Sequence, residues 1–196
     1  ACLVGSEMCI RDREIFEISK KQGIRSVDKI CHRMELGKDT YTLGKIRPEM
    51  EEELCRVLAD FVRIMEGYRV DAYRAMASSA ISEAANSLYV LGKIRQLTGL
   101  SVTVLSNSEQ RFLGYKALAA MEDNFNKIIE KGTAILDLDG GSFQISLFDK
   151  DALVTTQNIR MGSLRIRERL AGIQSETEHY EEMVEELIWN EVSSFK

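Results

Sequence analysis

A mixed α/β fold, with a layered sheet and helices on its faces, is what the sequence predicts, and three observations carry it. Short runs alternate apolar and polar residues, as half-buried strands do. Between them lie longer stretches with apolar residues three and four apart, as on one face of a helix. The two kinds follow one another repeatedly, first as strand–helix units and then as a three-strand meander. With 44% apolar and 29% charged residues, the chain of 196 residues has enough apolar surface to build such layers.

Residues 1–13 have no clear period and read as a non-native or disordered leader. They have neither the basic start nor the sustained apolar core of a signal peptide. Residues 14–19 alternate, with Ile15, Phe16 and Ile18, and read as a strand. A turn at 20–23 and a second extended piece over 24–36 follow, with Gly37, Lys38, Asp39 and Gly44 as loop punctuation. Pro48 opens a helix, where its missing N–H costs nothing. Glu49, Glu51, Glu52 and Glu53 suit the positive end of that helix and are expected in solvent. Leu54, Val57, Leu58, Phe61 and Met65 give its apolar stripe, and Gly67 ends it.

Residues 70–77 read as a strand with Val70, Ala72 and Tyr73 buried, leading into a short helix near Ser79. Asn86 or Ser87 starts a further helix with Leu88, Leu91, Ile94 and Leu97 inward, stopped at Gly99. Residues 101–105 form a short strand. Ser106 and Glu109 then make an S-x-x-E capping box that opens a helix through Met121, with Phe112, Tyr115 and Leu118 on its apolar face. Residues 122–131 are polar and link to the hairpin over 133–148. There, alternating apolar runs flank Asp139-Gly140-Gly141-Ser142, and a turn of this kind calls for the positive φ that glycine allows. A third strand spans 152–160. Gly162 and Ser163 lead into a helix whose Arg165, Arg167 and Arg169 could bind phosphate but read first as a solvated face. Ser175 caps a last helix, 176–192, with Tyr180, Met183, Val184, Leu187 and Ile188 inward. Two lobes result, 14–124 and 125–196.

Several function classes are excluded at this stage. A net charge of −5 argues against broad nucleic-acid binding, which needs an excess of Lys and Arg. No run approaches the ~20 apolar residues of a membrane helix. Cys2, Cys9, Cys31 and Cys55 show no CxxC spacing, and His32 and His179 are far apart, so a zinc cluster is not expected and free thiols in the cytoplasm are. Ser79 and Ser82 lack the Gly-x-Ser-x-Gly elbow of a nucleophile. A glycine-rich hairpin can bring backbone N–H groups close to an anion such as phosphate. A carboxylate just past a strand's C-terminal end, as at Glu109, is where open α/β sheets place their chemistry.

Three stretches together resemble the Ppx/GppA phosphatase family, the exopolyphosphatases and guanosine pentaphosphate phosphohydrolases. Residues 77–86, Ala-Ser-Ser-Ala-Ile-Ser-Glu-Ala-Ala-Asn, are similar to its A-T-S-A-x-R-x-A-x-N stretch. Residues 102–111 resemble its strand-to-helix segment ending in S-x-x-E-E. Residues 137–144, Asp-Leu-Asp-Gly-Gly-Ser-Phe-Gln, resemble its D-I-G-G-G-S-T-E loop. The resemblance runs from about residue 27 to the C-terminus. It implies an actin-like, ribonuclease H-like fold of two lobes with a cleft, the first strand of lobe 1 and the end of lobe 2 missing from this chain. It implies Mg²⁺-assisted hydrolysis that removes a terminal phosphate from polyphosphate or guanosine pentaphosphate, in a cytoplasmic protein that leaves room for a full-length homodimer. By the match, Glu109 and Gln144 are catalytic, Gly140, Gly141 and Ser142 hold phosphate, and Asp137 faces the metal. The chain departs from the family at three positions of the matched stretches: Ser82 stands for Arg, Asp139 for Gly and Gln144 for Glu. These departures make a non-catalytic polyphosphate- or alarmone-binding relative the second reading. A sugar-kinase-like or actin-like ATPase is the third.

Overall fold

The computed structural model describes residues 2–4, 10–21, 23–121, 125–171 and 179–193. The chain divides into two compact units, Ala1–Leu105 and Ser106–Lys196.

In the first unit, five strands form a mixed sheet: β1 (Cys2–Val4), β2 (Ile10–Ser19), β3 (Gly23–Arg33), β4 (Arg74–Ala77) and β5 (Val102–Val104). Their order is β3-β2-β1-β4-β5. The β2–β3 hairpin and the β1–β2 pair are antiparallel, whereas β1–β4 and β4–β5 are parallel. Residues 2–4 and 10–13 of the expected leader thus lie in strands. Among the described residues, four helices accompany the sheet: α1 (Leu36–Leu43), α2 (Pro48–Gly67), α3 (Ser79–Ser82) and α4 (Ser87–Thr98). Pro48 takes the first turn of α2, as its sequence position requires. Leu54, Val57, Leu58, Phe61 and Met65 turn inward at helical spacing and meet Ala75 and Ala77 of β4 and Ile81, Val90 and Ile94. This is the core of the unit.

The exceptions in this unit have long-range causes. The loop expected at 37–39 is helix α1. Asp39 is buried and accepts hydrogen bonds from the Arg47 backbone N–H and guanidinium at 3.0 Å, so it is held by a residue beyond the helix rather than by a turn. Gly44 ends α1 in the left-handed region, φ 70°, with its N–H on the Thr40 carbonyl at 3.0 Å. Glu51 is buried rather than solvated: its carboxylate accepts from Asn86 at 2.8 Å and Lys93 at 3.3 Å. Strand β4 begins only at Arg74. Tyr73 is exposed, and its hydroxyl accepts the Ser101 N–H. In α4 the inward side is Val90 and Ile94, while Leu88 is 86% exposed and Leu97 58%.

Asn86 closes this unit. Its Oδ1 accepts the Ile46 N–H at 3.0 Å, and its Nδ2 donates to the Ile46 carbonyl at 2.8 Å as well as to Glu51. Asn86→Ala leaves a backbone N–H, a backbone carbonyl and a carboxylate oxygen short of partners. A loss of about 2 kcal/mol is expected, read as a lower urea midpoint with an unchanged slope.

The second unit is built on an antiparallel meander, β6 (Thr133–Leu138), β7 (Phe143–Asp149) and β8 (Ala152–Ile159), in that order. Its helices are α5 (Asn107–Met121), α6 (Phe125–Ile129), α7 (Ser163–Leu170) and α8 (Tyr180–Val192). The boundary expected at 124/125 lies inside this unit, because α5 packs on the meander. The Tyr115 ring meets Phe148 edge-on at 5.2 Å, and its hydroxyl donates to Ser146. Phe112, expected on the apolar face, is 57% exposed. The polar link at 122–131 contains the short helix α6. Lys150 and Asp151, both at positive φ, turn the β7–β8 hairpin. Ser175 lies outside the described residues. On α8, Tyr180, Met183, Val184 and Leu187 are half-buried, while Ile188 is exposed.

Candidate functional site

The β6–β7 hairpin closes at the pair Leu138–Phe143, with the Asp139 N–H on the Ser142 carbonyl at 3.0 Å. The expected positive-φ glycine turn is not found here. Among the described residues the left-handed glycines are Gly23, Gly44 and Gly99. The turn is held instead by a side chain, as an Asx turn is. Asp139 Oδ1 accepts the Gly141 N–H at 3.0 Å, the Ser142 N–H at 2.7 Å and the Ser142 hydroxyl at 3.3 Å. Asp139 Oδ2 accepts from Gln110 Nε2 at 3.1 Å, which ties the loop to the first turns of α5.

The carbonyls of the same loop serve α7. A helix start leaves its first N–H groups without intrahelical partners. Here Ser163 N–H donates to Asp139 O at 2.9 Å, and Leu164 and Arg165 N–H donate to Gly140 O at 3.0 and 3.2 Å. Arg165 Nε adds a bond to Gly141 O at 2.7 Å. Arg165 is therefore half-buried on the loop, not on a solvated face, whereas Arg167 and Arg169 are exposed. The backbones approach so closely that a Cβ on Gly162 would lie 2.3 Å from the Gly140 carbonyl carbon. Gly140 and Gly141 are buried under this helix start.

Strand register assembles the rest. Asp137 is paired with Gln144, and Gln144 with Asn158, so the three share one row across the meander. Together with Asn107, Gln110, Asp139 and Ser142 they line a small polar hollow. Helix α5 runs past it: a Cβ on Gly114 would come within 4.0 Å of Asp137 Oδ2. Asp137 is exposed, and Gln144 is only 9% exposed. Among the described residues, Asn158 Oδ1 is buried with no donor. Asn158 is not foreseen from the sequence. Its only signal was its register opposite Gln144, which needs both hairpins to be counted correctly.

Glu109 sits at the start of α5, and its carboxylate turns back to close the expected capping box. One oxygen accepts the Ser106 N–H and hydroxyl, each at 2.8 Å, and Ser106 Oγ accepts the Glu109 N–H at 3.2 Å. The Ser106 backbone N–H, followed by its hydroxyl, holds the Glu109 carboxyl below the usual glutamate range. Asn107 and Gln110 line the hollow; Glu109 does not. The structure thus brings Asp137, Ser142 and Gln144 together, seats Gly140 and Gly141 against α7, and keeps the Glu109 carboxylate in its cap.

The row fits Mg²⁺ in kind. Among the described residues no three His, Cys, Asp or Glu side chains gather as a metal cluster. Mg²⁺ needs only one or two carboxylates and hard oxygen donors beside water and phosphate. Asp137 offers a carboxylate, Gln144 and Asn158 offer amide oxygens, and among the described residues Asn158 Oδ1 has no hydrogen-bond donor. The Ala77–Asn86 stretch has a different use: Ser79 Oγ pairs with the Tyr41 hydroxyl at 2.7 Å, the Ala80 carbonyl accepts from Thr40 at 2.6 Å, and Ser82 is exposed.

The sequence model of the Ppx/GppA phosphatase family matches residues 15–196. The chain belongs to this family. It is 30% identical over 108 residues to Exopolyphosphatase 1 of Mycobacterium leprae, covering 55% of this chain and 30% of that protein. It is 20% identical over 138 residues to the Bifunctional 3-dehydroquinate synthase/phosphatase of Fusobacterium nucleatum, covering 69% of this chain and 20% of that one. The chain therefore spans less than a third of either curated relative. Among solved structures, the Aquifex aeolicus Ppx/GppA protein superposes with a TM-score of 0.69 at 20% identity, over 96% of this chain and 60% of that one. An exopolyphosphatase from Cytophaga hutchinsonii gives 0.72 at 16% identity, over 99% and 62%. These likenesses establish the actin-like, ribonuclease H-like fold for this Ppx/GppA chain.

Proposed function

We propose that this chain carries the phosphate-handling part of a phosphoanhydride hydrolase, one that releases terminal phosphate from inorganic polyphosphate or guanosine pentaphosphate with Mg²⁺. One observation carries the reading: the Asp139–Ser142 hairpin stands beside the Asp137–Gln144–Asn158 row, at the start of the helix that bears Glu109. Phosphoryl transfer asks for positioning and charge neutralisation more than covalent help. Asp137, with the Gln144 and Asn158 amides, would hold the ion. When bound, the ion neutralises charge on the phosphate oxygens. Ser142 orients the phosphate. Glu109 leaves its cap to take a proton from water as the water oxygen bonds to phosphorus and the anhydride P–O bond breaks. Exposure of Glu109 leaves that movement open to it.

The test is phosphate release from polyphosphate with Mg²⁺, measured beside binding at equal concentration. Release together with binding is expected. Binding without release selects the non-catalytic relative. Gln144 favours that second reading, since an amide cannot accept a proton as the family's Glu does.

A further inference from the structure

We infer that Asp139 determines what the glycine loop accepts, by spending the loop's anion-binding donors on its own carboxylate. The inference rests on the phosphate reading of this loop. A phosphate at such a hairpin would be held by the backbone N–H groups past the turn and by the serine hydroxyl. Here those donors are the Gly141 N–H, the Ser142 N–H and the Ser142 hydroxyl, and all three point at Asp139 Oδ1. Gln110, a further donor lining the hollow, points at Asp139 Oδ2. The loop's carbonyls are meanwhile taken up by α7, so the loop has little freedom to present a second set of groups. A carboxylate with two oxygens and a full negative charge is a fair substitute for part of a phosphate, and it cannot diffuse away.

Two effects follow, both against a free anion. An incoming phosphate must displace hydrogen bonds that are already made, and it must approach a fixed negative charge with Asp137 two residues before it, on β6. The position is therefore the affinity-setting residue of the loop. Glycine there would leave the N–H groups to the ligand. Asparagine keeps an oxygen acceptor for the turn and removes the charge, which separates repulsion from occupancy.

The experiment is isothermal titration of the full chain with inorganic polyphosphate of defined length, with Mg²⁺ present, for the wild type, Asp139→Asn and Asp139→Gly. Binding is expected to tighten at least about tenfold in Asp139→Gly, or 1.4 kcal/mol, and by less in Asp139→Asn. An Asp139→Gly protein that keeps its fold and binds no tighter than the wild type overturns the inference alone, with the phosphate reading intact. If Asp139→Gly unfolds, Asp139→Asn decides, and unchanged affinity in it overturns the inference equally. Absence of polyphosphate binding in all three removes the phosphate reading and this inference with it.

Discussion

Glu109→Gln is expected to cut phosphate release by about 10²- to 10⁴-fold, the usual share of a positioned general base, while polyphosphate binding and the helicity of α5 stay as they are. The two halves of this expectation come from two properties of one side chain. The cap needs an oxygen that accepts the Ser106 N–H and hydroxyl. Glutamine supplies that oxygen, so the helix start survives. Water activation needs a base, which glutamine is not. Alanine would remove both functions at once and could not tell them apart. The pH profile gives a second readout. Hydrogen bonds from Ser106 depress the Glu109 pKa, the backbone N–H contributing most. The deprotonated form is the working one, so it is present at neutral pH and is lost as pH falls through that depressed value. The acid limb of the wild-type kcat/KM profile, which reports the free enzyme with Glu109 still in its cap, should therefore lie below the ordinary glutamate range. Turnover unchanged in Glu109→Gln assigns Glu109 to the cap alone.

What the sequence made legible was local. Pro48 at the start of α2, the Leu54-to-Met65 stripe, the Ser106–Glu109 box and the place of the Asp139–Ser142 hairpin, though not the side chain that holds its turn, each rest on residues near one another in sequence, where steric and hydrogen-bonding rules act directly. The family motifs are legible for the same reason, being short and contiguous. What escaped depends on partners far along the chain. Asp39 and Glu51 read as loop and solvent residues because nothing nearby announces Arg47, Lys93 or Asn86. Arg165 reads as surface because its acceptor is a carbonyl 24 residues earlier. Asn158 enters the site only through two successive strand registers. In α4, Leu88 and Leu97 fit a helical stripe as well as Val90 does. Only the packing of α2 and β4 decides which face is covered.

Gly162→Ala is expected to cost about 3 kcal/mol or more, at the top of the range for overpacking. Its backbone, φ −88° and ψ 168°, is open to any residue, so conformational strain is not the reason. Gly23, Gly44 and Gly99 make the contrast, with left-handed φ and open space where a Cβ would go. At Gly162 the new Cβ would meet the Gly140 carbonyl carbon at 2.3 Å, its oxygen at 2.4 Å and the Gly141 nitrogen at 2.4 Å. All three are backbone atoms, and no side chain can turn aside to admit it. Either α7 withdraws or the hairpin tip moves. Both routes break the bonds from Ser163, Leu164 and Arg165 to the loop carbonyls, and both displace the turn that Asp139 organises. Urea unfolding followed by circular dichroism should show the loss of stability, and polyphosphate binding should weaken with it even though residue 162 lies outside the polar hollow. A stable Gly162→Ala protein with undiminished binding would mean that α7 does not set the shape of the loop.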